Sequence, residues 1–331
     1  MRRLLPLLAA LLSLALLAPA PAAAKEAPAY IALGDSLAFG VGATDPAVGG
    51  YVALTFDSLR SSERYRDRGL ELLNLGVPGA TSSDLLLPGG QLEHALNEIR
   101  ERQEDTSSSD DNVEIITVDI GGNDVLALGT EDSPCIDDLL GQECQERFQE
   151  MLGGLKVNLA KVLERLRDAA PKADLVVMDL YSPLSGRGGP EDLIADFAIG
   201  EINAVTEEVV SRPELEVSLA SVYPLFLGRA AQLVAEDAVH PNDEGHALMA
   251  EVVLAAIEGR APDLPDEMLT PVAGVDATSR GPLGRGGLEP IEAPGDNDDP
   301  GLALILAIAI PASLLGVGAI AGAYLAARGR S

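Results

Sequence analysis

The chain has 331 residues, of which 52 are acidic and 23 are lysine or arginine, so its formal net charge is −29. This balance argues against a nucleic-acid-binding protein, because contacts with a phosphate backbone require a basic surface. Two cysteines and three histidines are too few for a disulfide-framework mini-protein, a four-cysteine zinc site or a histidine-rich metal centre.

The first 24 residues have the three parts of a secretory signal peptide. Two arginines follow Met1, an apolar run extends to about Leu17, and small residues lead to Ala24. We therefore predict that residues 1–24 are a signal peptide, cleaved after Ala24. A retained membrane anchor is the alternative, and the shortness of the apolar run argues against it.

Residues 25–260 alternate between short apolar runs, which suit buried strands, and amphipathic stretches, which suit helices. The predicted strands are Tyr30–Leu33, Leu70–Leu75, Val113–Ile120, Leu175–Leu180 and Leu215–Leu219. The predicted helices are Tyr51–Leu59, Leu92–Glu101, Phe148–Ala169, Leu193–Val210 and Glu244–Ile257. This alternation predicts an α/β domain with a parallel sheet between two layers of helices. Functional residues are then expected at the carboxyl ends of the strands.

The C-terminal part of the chain has the composition of a linker and a membrane span. Residues 261–300 carry seven of the 22 prolines and nine acidic residues against two arginines, which predicts an extended linker. Residues 301–327 are uncharged and long enough to cross a hydrocarbon core about 30 Å thick, so a transmembrane helix is predicted there. Arg328 and Arg330 favour a cytoplasmic tail at 328–331 and an extracellular domain.

Four short motifs follow the predicted strands or precede the last helix. They are Gly34-Asp35-Ser36-Leu37, Asn74-Leu75-Gly76-Val77-Pro78-Gly79-Ala80-Thr81, Gly121-Gly122-Asn123-Asp124 and Asp237-Ala238-Val239-His240-Pro241. In this order, and spread over most of residues 30–250, they resemble the motifs of the GDSL or SGNH family of serine esterases and lipases. The resemblance implies a three-layer α/β/α fold with a flavodoxin-like parallel sheet of about five strands. It also implies ester hydrolysis without a metal or an organic cofactor.

A serine hydroxyl needs a neighbouring base before it acts as a nucleophile. Ser36 is the candidate nucleophile, and its alternative role is a helix N-cap. His240 is the candidate base, and Asp237, three residues earlier, is close enough to orient its ring as in a Ser-His-Asp triad. His94 and His246 are the other possible bases, and both have the pattern of helix-surface residues.

The resemblance implies three donors for the oxyanion that forms during acyl transfer. They are the Ser36 N–H, the Gly79 N–H and the side-chain amide of Asn123. Gly76 is the rival of Gly79, although the end of a strand also explains a glycine there. A turn cap is the alternative role of Asn123.

The remaining residues of the motifs are interpreted as supports. Asp35 is expected to hold the turn beside the nucleophile, and Asp124 is expected to be a supporting residue rather than half of a glycosidase pair. Cys135 and Cys144 have eight residues between them and are predicted to form a disulfide in a protein outside the cell. The loop that they close follows Asn123 and is a hypothetical wall of the substrate site.

These features predict an exported serine ester hydrolase that is held to the cell membrane by its C-terminal helix. Its expected partners are that membrane and a lipid acyl ester or a small acyl ester, with lysophospholipids among the candidates. A carbohydrate O-acetyl esterase is one alternative. A non-catalytic surface-binding module on the same fold is the other.

Overall fold

The computed structural model describes residues 27–104, 112–130, 133–270 and 272. The predicted signal peptide, the predicted transmembrane helix and most of the predicted linker lie outside these ranges. Within them, no helix combines the length and the hydropathy that a membrane span requires.

A single sheet of five parallel strands forms the centre of the domain. The strands are β1 (Ala29–Gly34), β2 (Glu71–Asn74), β3 (Val113–Asp119), β4 (Asp174–Met178) and β5 (Val217–Ala220), in the spatial order β2-β1-β3-β4-β5. The prediction of a parallel sheet is therefore confirmed, with each strand within about two residues of its expected position.

Burial differs between the inner and the outer strands. Every residue of β1 is buried, as are all but one residue of β3 and of β4, because helices cover both faces there. The edge strands are less buried: β2 has only exposed and partly buried residues, and in β5 only Ala220 is buried. The expectation that all five strands are buried on both faces is wrong for these two, since an edge strand lacks one neighbour.

Twelve α-helices lie within the described residues. They are α1 (Ser36–Phe39), α2 (Pro46–Gly49), α3 (Tyr51–Ser61), α4 (Gln91–Glu104), α5 (Gly122–Leu126), α6 (Pro134–Asp137), α7 (Gln142–Ala169), α8 (Pro190–Val210), α9 (Tyr223–Phe226), α10 (Ala230–Leu233), α11 (Asp243–Glu258) and α12 (Asp266–Leu269). Helix α7 begins six residues before its predicted start, because the residues from Gln142 to Arg147, apart from Cys144, are polar and do not extend the apolar pattern.

The direction of the chain connections explains two helix layers. The connection from β1 to β2 runs toward one edge of the sheet, whereas the later connections from β2 through β5 run toward the other edge. Right-handed crossovers therefore place α3 on one face and α4, α7 and α8 on the opposite face. Consistent with this, α11 packs on α3, while α7 packs between α4 and α8.

The folded domain extends beyond the predicted boundary at residue 260. Residues 261–270 pack on the domain, where Met268 is buried beside the core. The Arg229 side chain donates hydrogen bonds to the backbone carbonyls of Glu267 (3.0 Å) and Thr270 (2.5 Å). The first ten residues of the predicted linker thus belong to the folded unit.

Candidate active site

The carboxyl ends of β1 and β3 meet at the point where the chain reverses its direction across the sheet. β1 and β3 are neighbours, and the segments that leave them cross to opposite edges. Such a point opens a crevice between the two outgoing segments and is the usual ligand site of an open α/β sheet. Ser36 follows β1 and Asn123 follows β3, so both lie at this crevice.

Ser36 is the first residue of α1, directly after β1. The N-cap of this short helix is Asp35, whose Oδ1 accepts a hydrogen bond from the Leu37 N–H at 2.9 Å. The alternative role of Ser36 as the N-cap is therefore wrong, and its hydroxyl is available for another partner. Asp35 holds the turn beside Ser36, as the sequence predicts.

The Ser36 hydroxyl contacts a histidine that is 204 residues away in sequence. Its Oγ lies 2.9 Å from Nε2 of His240, and Nδ1 of the same ring lies 2.6 Å from Oδ2 of Asp237. A proton on Nδ1 is donated to the carboxylate, which leaves Nε2 to accept the hydroxyl proton of Ser36. Ser36 and His240 are both buried, so water competes little for these contacts.

A tight turn brings Asp237 and His240 together. Ala238 has a positive φ of 61°, which is rare for a residue other than glycine and turns the chain back on itself. Oδ1 of Asp237 then accepts the backbone N–H groups of Val239 (3.0 Å) and His240 (2.9 Å). Partial burial alone raises the pKa of Asp237, but the hydrogen bonds from the His240 ring, the His240 N–H and the Val239 N–H outweigh it and lower that pKa to about 2.

Neighbouring segments clamp this turn in place. The Ala235 N–H donates to the His240 carbonyl (2.8 Å), and the Tyr181 hydroxyl donates to the Val239 carbonyl (2.5 Å). The turn also packs closely against Gly42, where a Cβ atom would lie 2.1 Å from the Pro241 carbonyl oxygen. The ring of His240 is therefore held between the loop after β1 and the segment after β4.

The other two histidines occupy different surroundings. His94 is exposed on α4, as expected. His246 is completely buried, so its expected place on a helix surface is wrong. Its Nδ1 accepts the Tyr51 N–H (3.2 Å), and its Nε2–H donates to the Val41 carbonyl (2.9 Å), which ties α11 to α3 and to the loop after β1. Burial lowers the pKa of His246.

The candidate oxyanion donors differ in their availability. Gly79 lies in a turn with a φ of 83° that favours glycine, and no acceptor for its N–H lies within the described residues. The N–H of the rival, Gly76, donates to Asn74 Oδ1 (3.0 Å), and a Cβ at this position would lie 2.7 Å from the Phe39 nitrogen. Gly76 therefore serves close packing against α1.

The Asn123 side-chain amide lies beside the turn that carries Ser36, and it already donates two hydrogen bonds. Its Nδ2 donates to the Ala80 carbonyl (2.9 Å) and to Asp35 Oδ2 (3.2 Å). It thus joins the segments that carry Ser36, Gly79 and the end of β3. An oxyanion would replace one of these two acceptors.

Asp124 holds the loop after β2 against α5. Its two oxygens accept the Ser82 N–H (2.8 Å) and the Ser82 hydroxyl (2.6 Å), and Asn158 of α7 donates to that hydroxyl (3.1 Å). This arrangement fixes the segment that contains Gly79 and matches the expected supporting role of Asp124.

A group of buried polar residues behind Ser36 was not predicted. Asp119, the last residue of β3, is completely buried and accepts the Tyr51 hydroxyl. Gln91 of α4 pairs with both backbone groups of Gly34 at 2.8 Å. In the sequence, the signal for this group is Asp119 itself, a charged residue at the end of an apolar, β-branched run. A charge that is buried in this way requires a polar partner.

The structure joins Cys135 and Cys144 in a disulfide with a Cα–Cα distance of 4.7 Å. The bridge links α6 to the first turn of α7. Among the described residues, no group of three or more histidine, cysteine or acidic side chains is arranged to hold a metal ion.

The parallel α/β sheet and the serine, histidine and aspartate at its carboxyl edge together have the architecture of the serine hydrolases. A family model described as the GDSL-like Lipase/Acylhydrolase family matches residues 32–248, and the chain belongs to this family. The chain is accordingly a carboxylic ester hydrolase.

Three known proteins illustrate the similarity. The chain is 27% identical to the spore germination lipase LipC of Bacillus licheniformis over 239 residues, which cover 70% of this chain and 97% of that protein. It is also 27% identical over 138 residues to an acetylxylan esterase of Xylanibacter ruminicola, covering 40% of this chain and 28% of that protein. The crystal structure of the lipase Lip_vut3 from a goat rumen metagenome has the same fold, with a TM-score of 0.52, 23% identity, and coverage of 69% of this chain and 97% of that one.

Proposed function

We propose that the protein hydrolyses acyl esters through a Ser36–His240–Asp237 triad. The observation that carries this proposal is the unbroken set of contacts from Ser36 Oγ through the His240 ring to Asp237. Ser36 attacks the acyl carbonyl carbon while His240 Nε2 takes the hydroxyl proton. The same proton then passes to the leaving alkoxide, which departs as the alcohol. Water, activated in turn by His240, releases the acid and restores Ser36.

Three donors would meet the oxyanion of each tetrahedral intermediate. The Ser36 N–H and the Gly79 N–H have no acceptor within the described residues. The Asn123 amide would exchange one of its present acceptors for the oxyanion. Loss of one such donor typically lowers the rate by about 10²–10³-fold. An effect of this size requires the loops to hold the donors in place before the oxyanion forms.

The surroundings of Ser36 support a substrate with an apolar acyl group. Phe39 ends the helix that Ser36 begins, and Val77 lies in the segment that packs against that helix; both side chains are more than one-third exposed. Exposed apolar side chains beside a nucleophile favour a hydrocarbon chain over a sugar. The similarity to LipC over nearly its whole length supports the same substrate class. Lysophospholipids belong to this class.

The first experiment compares the full-length chain with Ser36→Ala on p-nitrophenyl esters of increasing acyl length. We expect Ser36→Ala to lower kcat/KM by about 10³-fold or more, because the triad residues act as a unit. Ser61→Ala, an exposed serine on α3, is the matched control and should retain full activity. We also expect kcat/KM to be higher on medium-chain esters than on the acetyl ester.

Two results would contradict this proposal. If turnover persists in Ser36→Ala, the assigned nucleophile is wrong. If neither protein turns over any ester and a fluorophosphonate probe fails to label Ser36, the chain is a binding module on an esterase fold.

A carbohydrate O-acetyl esterase is the second candidate, and one comparison favours it. The acetylxylan esterase similarity spans 138 residues, although it covers 28% of that protein. Activity confined to the acetyl ester and to an acetylated polysaccharide would favour this candidate over an acyl-chain esterase.

We further propose that the domain is exported and held to the outer face of the cell membrane. The support is the signal-peptide pattern of residues 1–24, the uncharged run at 301–327 and the arginines that follow it. A disulfide between Cys135 and Cys144 also suits an oxidising compartment. A surface with a strong negative charge would approach anionic lipids poorly, so neutral or zwitterionic esters are the better match.

A further inference from the structure

Two carboxyl groups lie in contact behind the nucleophile turn. Asp119 ends β3 beside Gly34, which ends β1, and a Cβ on Gly34 would lie 2.4 Å from Asp119 Oδ1. The missing side chain of Gly34 thus makes space for the Asp119 carboxyl. That carboxyl is within hydrogen-bonding reach of the Asp35 carboxyl, and both residues are almost fully buried.

The groups around this pair supply no full positive charge at contact distance. Asp119 accepts the Tyr51 hydroxyl and, at 3.5 Å, the Asp35 N–H. Tyr30 of β1 also faces Asp119, and Tyr181 after β4 faces both carboxyls. Asp124 and His240 face Asp35. Among the described residues, neither carboxyl has a lysine or arginine partner.

Two ionised carboxyls in contact are strongly disfavoured in a buried site that has no lysine or arginine partner. Burial penalises each charge, and each charge repels the other, so one proton is retained between them. Burial raises the pKa of both groups, and for Asp119 the neighbouring Asp35 raises it further. The proton bridges the two carboxyls and removes one charge.

The hydrogen bonds decide which carboxyl keeps the charge. Asp35 accepts the Leu37 N–H (2.9 Å) and the Asn123 amide (3.2 Å), and it faces His240, so its environment favours an anion. Asp119 has the Tyr51 hydroxyl and one long contact. The proton therefore resides on Asp119, which can donate it to Asp35.

We propose that Asp119 is a positioning residue that stays protonated at neutral pH and donates a hydrogen bond to Asp35. The single charge on Asp35 then orients the start of α1, which carries Ser36, and the amide of Asn123. This inference rests on the proposed function, because it assigns Asp119 to the support of the proposed nucleophile and oxyanion donor.

The test compares Asp119→Asn with Asp119→Leu in the full-length chain. An asparagine amide can still donate to Asp35 and accept from Tyr51, and only the 3.5 Å contact from the Asp35 N–H is lost. We expect Asp119→Asn to keep kcat within about threefold of the original. Asp119→Leu has a similar size but no donor, and we expect kcat to fall about 10-fold to 100-fold with little change in KM.

An infrared difference spectrum tests the proton itself. At pH 7 the original chain should show the carbonyl band of a protonated carboxylic acid that is missing from Asp119→Asn. This band does not depend on turnover, so it remains decisive if Asp119→Leu fails to fold or if the esterase proposal fails in the Ser36→Ala test. The inference is overturned if no such band is lost, or if Asp119→Asn is as inactive as Asp119→Leu.

Discussion

A spacing of three residues between an aspartate and a histidine occurs twice in the last part of the domain. Asp237 and His240 lie in a turn with a positive φ at Ala238, and their side chains form a direct hydrogen bond. Asp243 and His246 have the same spacing in the first turn of α11, yet Asp243 bonds to Thr44. The backbone between the two residues therefore decides whether the pair can orient a base.

The buried His246 predicts a pH-dependent stability. Burial lowers its pKa below the ordinary value of a histidine, so below about pH 6.5 the unfolded chain binds a proton that the folded chain refuses. The contribution of neutral His246 to the free energy of unfolding is therefore complete above that pH and is lost as the pH falls below it. One proton bounds this loss at about 1.4 kcal/mol per pH unit.

The measurement is the free energy of unfolding in urea at pH 8 and at pH 5.5. We expect the difference between the two pH values to be smaller in His246→Gln than in the original chain, because glutamine does not titrate. His94→Gln, on the exposed face of α4, should leave the difference unchanged. Equal pH dependence in all three proteins would contradict the structural role of His246.

Motifs with a defined order made the candidate site residues predictable. Ser36, His240, Asp237 and Gly79 were found from short segments whose chemistry is recognisable in sequence. Asp119 was missed because it ends an apolar run and carries no local motif. Its partners Asp35 and Tyr51 come from distant segments, so only the packed structure shows that two carboxyls share one space.

Helix α7 contains two adjacent glycines that no contact explains. Gly153 and Gly154 are exposed, and a Cβ atom at either position would have no neighbour within 4 Å. Glycine in a helix interior is less favourable than alanine, mainly because the unfolded chain loses more freedom. We expect Gly153→Ala and Gly154→Ala each to raise the free energy of unfolding by about 0.5–1 kcal/mol.

Gly245 in α11 provides the matched control for the same substitution. A Cβ there would lie 2.3 Å from the Leu233 carbonyl oxygen, so Gly245→Ala should lower the stability by about 1–3 kcal/mol. Urea unfolding of the three variants gives the comparison. A loss of stability in both α7 variants would show that these glycines serve a contact or a motion outside this structure.

At the scale of elements, hydrophobic patterns predicted which strands and long helices exist better than they predicted where each one begins and ends. All five strands and the five long helices were expected, because each has an apolar face or run of its own. The polar start of α7 and the short helices near the site have no such pattern. They are fixed instead by caps and by distant contacts, as Asp35 fixes α1.

For the whole molecule, the order of the strands brings the residues of the candidate site together. Only the reversal of direction at β1 brings the segments after β1 and β3 together, and the turn before α11 then reaches Ser36 from the far end of the domain. The sequence predicted a parallel sheet and residues at its carboxyl ends. It did not define the end of the domain, because Met268 and its neighbours lack periodicity and are held by Arg229.

The placement of this boundary makes the proposed membrane tether testable on intact cells. A protease added outside should cut in the predicted linker and release an active esterase domain. Because Arg229 holds the backbone at Glu267 and Thr270, we expect the released fragment to end after Thr270 rather than near Arg260. Mass spectrometry of the fragment locates the cut, and ester hydrolysis in the supernatant reports its activity. The proposed topology is wrong if the domain resists the protease until the cells are lysed, since the domain would then lie on the cytoplasmic side of the membrane.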